Sequence, residues 1–211
     1  MNETVILRLI RHGQTAFNAE GRYMGRTDVD LCDKGREQIR SMFSDRTRDP
    51  GKAFHEVMKL DPMLFSSPMK RCIQTASIIL PEVEPVILKD LREMDFGIFE
   101  GMLYEDLNKM PEFRAFTESS GQIAPPGGEG REEFIKRVVG AVNESLGIIR
   151  ERGNKAGILV MHGGTIMALM THLFGGDYYD YLPQNGGGYT LKVTMAEGKE
   201  TVFSLVTEGQ I

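Results

Sequence analysis

Apolar and polar positions along this chain alternate between two periods. Val5 to Ile10 is a short apolar run broken only by Arg8, the pattern of a buried strand. From Asp33 to Phe43 the spacing changes, and Ile39, Met42 and Phe43 share one side of a predicted helix. Met63 to Ser66 reads as a second short strand. Ser67-Pro68 then predicts a helix start, with Ser as N-cap and Pro at the first helical position. Met69, Cys72, Ile73, Ala76 and Leu80 form its inward stripe, and Pro81 ends it. Pro85 to Leu88 is a weak third strand. The strongest element is a helix from Arg131 to Arg152, with Phe134, Val138, Val142, Leu146 and Ile149 on one stripe. Arg150, Arg152 and Gly153 supply its C-terminal charge and cap. Gly157 to Met161 is a buried strand and Thr165 to Phe174 a helix behind it. Tyr189 to Met195 and Thr201 to Val206 read as paired strands joined by a turn around Glu197-Gly198.

Strands alternating with helices predict a three-layer α/β/α sandwich with a mostly parallel sheet. The last two runs add one antiparallel strand. Residues 94–130, with Pro111, Pro125, Pro126 and several glycines, fit no such unit and read as a lid insertion. Neither a repeat nor a domain boundary is visible, so residues 1–211 read as one domain.

Composition narrows the partners. The chain is 41% hydrophobic and 26% charged, enough for a proper core. The net charge of −5 argues against nucleic acid, which calls for a basic face. A small phosphorylated substrate is still compatible, because a local arginine cluster can hold an anion in an acidic protein. No apolar run reaches the ~20 residues of a membrane span. The N-terminus reads as no signal peptide. Cys32 and Cys72 imply neither a disulfide framework nor a zinc cluster, so a cytoplasmic protein without metal or cofactor is expected. Oligomeric state is open.

The candidate chemistry collects at predicted strand ends. Arg11-His12-Gly13 follows the first strand, at the edge where open α/β sheets bind ligands. Arginine grips phosphate at two points, and neutral histidine can attack phosphorus. Alone this tripeptide is a weak signal. Arg71 falls in the first turn of the helix after the second strand, and Glu93 follows the third strand. His162-Gly163-Gly164-Thr165 follows Met161 and opens a helix, a natural phosphate seat. His55, His172 and Cys72 read as structural. The run Gly186-Gly187-Gly188 lacks the lysine of a nucleotide loop and reads as a flexible turn.

The ordered set LIRHGQTAFNAEGRYMGRTDVDL, SSPMKRCIQTA, LREMDFGIFEG, PPGGEG and VMHGG resembles the histidine phosphatase, or phosphoglycerate-mutase-like, superfamily. The resemblance implies a phosphohistidine on His12. It implies phosphate binding by Arg11, Asn18, Arg71, His162 and Gly163, with His12, Glu93 and His162 as the catalytic set. Glu93 would serve as general acid and base. Cys32 stands where Thr or Ser usually caps the next helix; since cysteine caps poorly, Asp33 is expected to take over. Phe96 stands where the mutases carry tyrosine, and Arg114 is the only arginine between Glu93 and Pro126. Those departures favour a histidine acid-type phosphatase, a phosphoric monoester hydrolase, over a cofactor-dependent mutase. An inactive phospholigand-binding protein is the remaining alternative. The stretches around LREM and PPGGEGREEF are similar to α-ribazole phosphatases. Arg22 and Arg26 suit either the substrate mouth or a solvated loop.

Overall fold

A computed structural model describes residues 3–195 and 201–207. The predicted first strand is β1 (Glu3–Arg11), followed by a short helix α1 (Ala16–Glu20) and by α2 (Asp33–Ser44). An unpredicted helix, α3 (Gly51–Met58), precedes β2 (Met63–Ser66). Then come α4 (Lys70–Ile79) and a two-residue strand β3 (Val86–Ile87). The lid holds α5 (Tyr104–Leu107) and α6 (Pro111–Glu118). The long helix is α7 (Arg131–Arg152), and β4 (Ala156–Met161) and α8 (Gly163–Phe174) follow. Last are β5 (Thr190–Met195) and β6 (Val202–Thr207). The turn predicted around Glu197-Gly198 lies outside the described residues.

The strands form one sheet in the order β3-β2-β4-β1-β5-β6. β3, β2, β4 and β1 are mutually parallel, and β5 runs against both β1 and β6. It is therefore the single strand of opposite direction. The alternation of side chains splits the core in two. Leu7, Leu9, Leu159 and Met161 face a layer that includes α7 and α8. Ile10, Ile158 and Val160 face Ile39 of α2, Phe54 of α3 and Cys72 of α4. The whole predicted stripe of α7 is buried, and Gly153 closes the helix in the left-handed region at φ 73°.

Three local readings are corrected. The first is the start of α4: Met69, not Ser67, is its N-cap. The Ser67 hydroxyl instead lies 2.7 Å from His162 Nε2, and Asp28 Oδ1 accepts from the Lys70 N–H (2.8 Å). Next, Cys32 keeps its cap position: Sγ accepts from Gly35 N (3.3 Å) and donates to Gln14 O (3.4 Å). Asp33 merely opens the first turn. Finally, Gly186-Gly187-Gly188 is no free turn but is buried against β1. Arg11 N donates to Gly187 O (2.8 Å), and a Cβ on Gly188 would lie 1.9 Å from Leu9 O.

The lid is an ordered cap whose buried Phe99, Leu107, Phe113 and Phe116 continue the core layer that includes α7 and α8. Phe99 packs edge-on against Phe113, and Tyr23 against both Phe96 and Phe113. Its base is tied down by Glu100. That carboxylate accepts from the Gly25, Arg26, Thr27 and Phe96 N–H groups and from the Thr27 hydroxyl. Among the described residues no helix is long and apolar enough to cross a membrane.

Candidate active site

The register of the sheet brings the two histidines together. Arg11 pairs with Met161 on adjacent parallel strands, so His12 and His162 both leave the sheet at the same level. Their ring centroids are 5.2 Å apart. Ser66 pairs with Val160 on the other side of β4, which places Ser67 beside His162.

His12 is held as one tautomer. Its Nδ1 lies 2.7 Å from the carbonyl of Gly13, to which it can only donate. Nε2 is then the unprotonated nitrogen. Burial, with the nearby Arg71 and Arg11, drives the imidazole well below its ordinary pKa, so it is neutral at pH 7. Asn185 Nδ2 donates to the His12 carbonyl (2.9 Å), and Gly13 N donates to Thr75 Oγ1 (3.0 Å).

Glu93 lies at the N-terminus of α8. Its Oε2 accepts from Gly164 N (2.8 Å) and its Oε1 from Met94 N (2.9 Å). Burial raises its pKa, against the opposing pull of those N–H groups and of Arg71 and Arg11. The seat that the sequence assigned to phosphate is thus partly taken by a carboxylate.

Arg11 Nη1 donates to Pro183 O (2.7 Å), while its buried Nε has no partner among the described residues. Its guanidinium lies over Gly163, where a Cβ would come within 3.3 Å of Nε and 2.8 Å of Leu182. Asn18 Oδ1 accepts from Thr15 N (3.2 Å) in a capping box, and the residue lines the pocket. These groups and His12, Glu93 and Gly163 line a cavity of about 290 Å³. The rest of its wall is mainly apolar and aromatic, from Tyr23, Met94, Phe96, Phe116, Met167 and Tyr178, with Arg22 and Arg131 as its further cations.

Arg71 and His162 sit behind that wall, with no solvent exposure. Arg71 Nε donates to His162 Nδ1 (3.2 Å), and its terminal nitrogens donate to Thr27 O (2.9 Å) and Gly25 O (2.8 Å). With Nδ1 accepting, His162 Nε2 carries the proton and donates to Ser67 Oγ. Burial and Arg71 hold this imidazole well below its ordinary pKa as well. Cys72 packs beside it, its thiol pushed up to about 12 by burial. Among the described residues no group of three His, Cys, Asp or Glu side chains could hold a metal ion.

The chain matches the family model of the histidine phosphatase superfamily (branch 1) over residues 7–207. It belongs to that superfamily. A phosphoserine phosphatase 1 of Hydrogenobacter thermophilus is 31% identical over 177 residues, 82% of this chain and 78% of that protein. A phosphoglycerate mutase-like protein 4 of Arabidopsis thaliana is 32% identical over 167 residues, 76% of this chain and 67% of that protein. The crystal structure of an α-ribazole phosphatase from Shigella flexneri superposes with a TM-score of 0.73 at 22% identity, covering 95% of each chain. That likeness is one of fold. Phosphatases among the relatives support general phosphatase activity.

In this histidine phosphatase superfamily member, several supporting residues escaped the sequence reading. Ser67 lay inside a recognised motif but read as a helix cap. Asn185 sat beside the glycine run and carried no local signal; only the packing of that run on β1 brings it to His12. Arg22 lines the cavity, whereas Arg26 is exposed and paired with Asp95 (2.9 Å). Arg114 is exposed and donates to the carbonyls of Asn108 and Lys109, away from the pocket. His55 Nε2 contacts Phe43 O (3.0 Å), in keeping with a structural role.

Proposed function

We propose that this protein hydrolyses a small phosphomonoester through a phosphohistidine on His12. The observation that carries the reading is the tautomer: Nδ1 is fixed on Gly13 O, so Nε2 is the nucleophile, in a pocket that Glu93 also lines. His12 Nε2 attacks phosphorus, the ester P–O bond breaks, and Glu93 gives its proton to the leaving alkoxide. Water then attacks phosphorus, Glu93 takes the water's proton, and the N–P bond breaks to release phosphate. Arg11, Asn18 and the Gly163 N–H, which line the cavity, are assigned to the phosphate oxygens, where fixed positive charge stabilises the transition state. The buried Arg71 and His162 are assigned to them as well, which for Arg71 requires part of its grip on the Gly25 and Thr27 carbonyls to be given up. For His162 this role requires Nε2 to exchange Ser67 Oγ for a phosphate oxygen.

Hydrolysis is favoured over a mutase reaction because the lid itself gives the cavity Phe96, Phe116, Ser120 and Gly121 and no arginine, the further cations of the lining, Arg22 and Arg131, coming from outside it. The aromatic wall suits a leaving group with an apolar or ring portion, and α-ribazole phosphate is one candidate of that kind.

The test is phosphate release from a panel containing α-ribazole phosphate, phosphoserine, sugar phosphates and 3-phosphoglycerate, with His12→Ala alongside. Wild type should release phosphate and trap acid-labile phosphate on the protein. The variant should lose at least about 10⁴-fold. A variant of normal rate sinks the mechanism, and turnover only in a bisphosphate-primed mutase assay replaces it.

A further inference from the structure

The PPGGEG motif and Arg137 line no part of the active-site cavity, yet they converge on the segment that carries Glu93. Arg137 projects from α7 with its guanidinium over the Phe134 ring, 4.7 Å from the centroid. All five of its N–H directions are used. Nε and Nη2 meet Glu129 Oε1 and Oε2, each at 2.6 Å, in a two-pronged pair that is 11% and 15% exposed. Nη2 also donates to Glu93 O (2.9 Å), and Nη1 donates to Arg92 O (2.6 Å) and Asp90 O (2.8 Å). The motif binds the same segment through its backbone: Glu129 N donates to Asp95 O (2.9 Å), and Ile98 N to Pro126 O (3.1 Å).

We propose that the Arg137–Glu129 pair is the positioning device for Glu93, setting where its carboxylate stands relative to the leaving oxygen. Residues 88–96 contain one short turn, Lys89–Leu91, and are anchored in the core by Leu88, Leu91 and Met94, but those apolar contacts are non-directional and do not orient the Glu93 carboxylate. Three consecutive-region carbonyls gripped by one planar cation convert this loop into an extension of α7. The carboxylate end is fixed separately by Gly164 N on α8. Glu93 therefore spans two helices, one holding its backbone and the other its acid group. Lysine has three donors on a single nitrogen and cannot reproduce the fork.

This inference rests on Glu93 as the proton donor, and the experiment separates the two. kcat/KM is measured for an alkyl phosphate and for p-nitrophenyl phosphate, whose leaving group needs little protonation. The variants are Arg137→Met, Arg137→Lys, Glu129→Gln, Glu93→Gln and the double Arg137→Met/Glu93→Gln. Arg137→Met and Arg137→Lys should lower the alkyl reaction on the order of 10²-fold, a displacement effect, and the aryl reaction by less than about 5-fold. The double variant should be no slower than Glu93→Gln alone, because both lesions remove one function. Equal loss on both substrates, or additive loss in the double variant, overturns the positioning role. If Glu93→Gln itself slows both substrates equally, the proton-donor reading fails and the positioning role falls with it. If Arg137→Met does not fold, Arg137→Lys and Glu129→Gln decide by the same ratio of alkyl to aryl loss.

Discussion

The Glu93 carboxylate occupies the space that a side chain at position 164 would fill: a Cβ on Gly164 would lie 2.2 Å from Glu93 Oε1. The contact cannot be relieved cheaply, since Oε2 accepts from the N–H of that same glycine. Gly164→Ala should thus expel the carboxylate while leaving His12 in place. The expected outcome is a fall in kcat/KM for alkyl phosphates on the order of 10²-fold, with phosphohistidine still formed from p-nitrophenyl phosphate. Loss of labelling with both substrates would mean that the substitution disturbs the nucleophile instead.

The charge that phosphoryl transfer requires is assigned here to Arg11, Arg71 and the N-terminus of α8. Added EDTA should accordingly leave phosphate release unchanged, and Arg11→Ala should lower kcat/KM by roughly 10²- to 10³-fold, the scale of losing one stabilising donor. Strong inhibition by EDTA, reversed by one divalent ion, would transfer that role to a metal.

In the proposed mechanism two titrating groups set the pH profile of kcat/KM. His12 must be neutral to attack, and its pKa is driven well below 6.5 by burial, Arg71 and Arg11. Activity is lost only as pH falls through that depressed value, so the acid limb lies below the ordinary histidine range. Glu93 must be protonated to donate, and burial raises its pKa above 4.5. Activity is lost as pH rises through that raised value. Glu93→Gln should erase the alkaline limb and keep the acid one, once the substrate's own ionisation near pH ~6 is allowed for. An alkaline limb that persists in Glu93→Gln assigns it to another group.

Much of this was legible because it depends on one segment at a time. β1 carries an apolar run broken only by Arg8, β4 an unbroken one and α7 a full helical stripe, and each appears where the pattern places it. α3 was invisible because it is short, with only Phe54 and Val57 as large inward residues, and it follows the polar stretch DRTRDPG. The Ser67 cap failed for a non-local reason, since a histidine 95 residues away claims its hydroxyl. The ordered motifs named His12, Arg11, Glu93, Arg71 and His162 as one group. They could not reveal that Arg71 and His162 form an inner layer behind the cavity wall, because that depends on the carbonyls of Gly25 and Thr27 meeting Arg71. Arg137 was equally hidden: on a helix surface a lone arginine reads as a solvated charge.

Cys32 offers a test of stability apart from chemistry. Its Sγ caps α2 by accepting from Gly35 N and also ties α2 to Gln14 O, next to the His12 loop. Sulfur is a weak acceptor, so a serine hydroxyl in the same place should make both bonds better. Cys32→Ala removes both and should cost about 1 kcal/mol, which for a chain of this size is a drop in Tm of about 2–4 °C. Cys32→Ser should raise Tm by about 1–3 °C, the effect of a modestly stronger cap. Both variants should retain wild-type kcat/KM, since Cys32 lines no part of the cavity. Thermal unfolding followed by circular dichroism checks the order Ser above Cys above Ala. If the Ser variant melts below wild type, the thiol is held there by packing around α2 rather than by its hydrogen bonds.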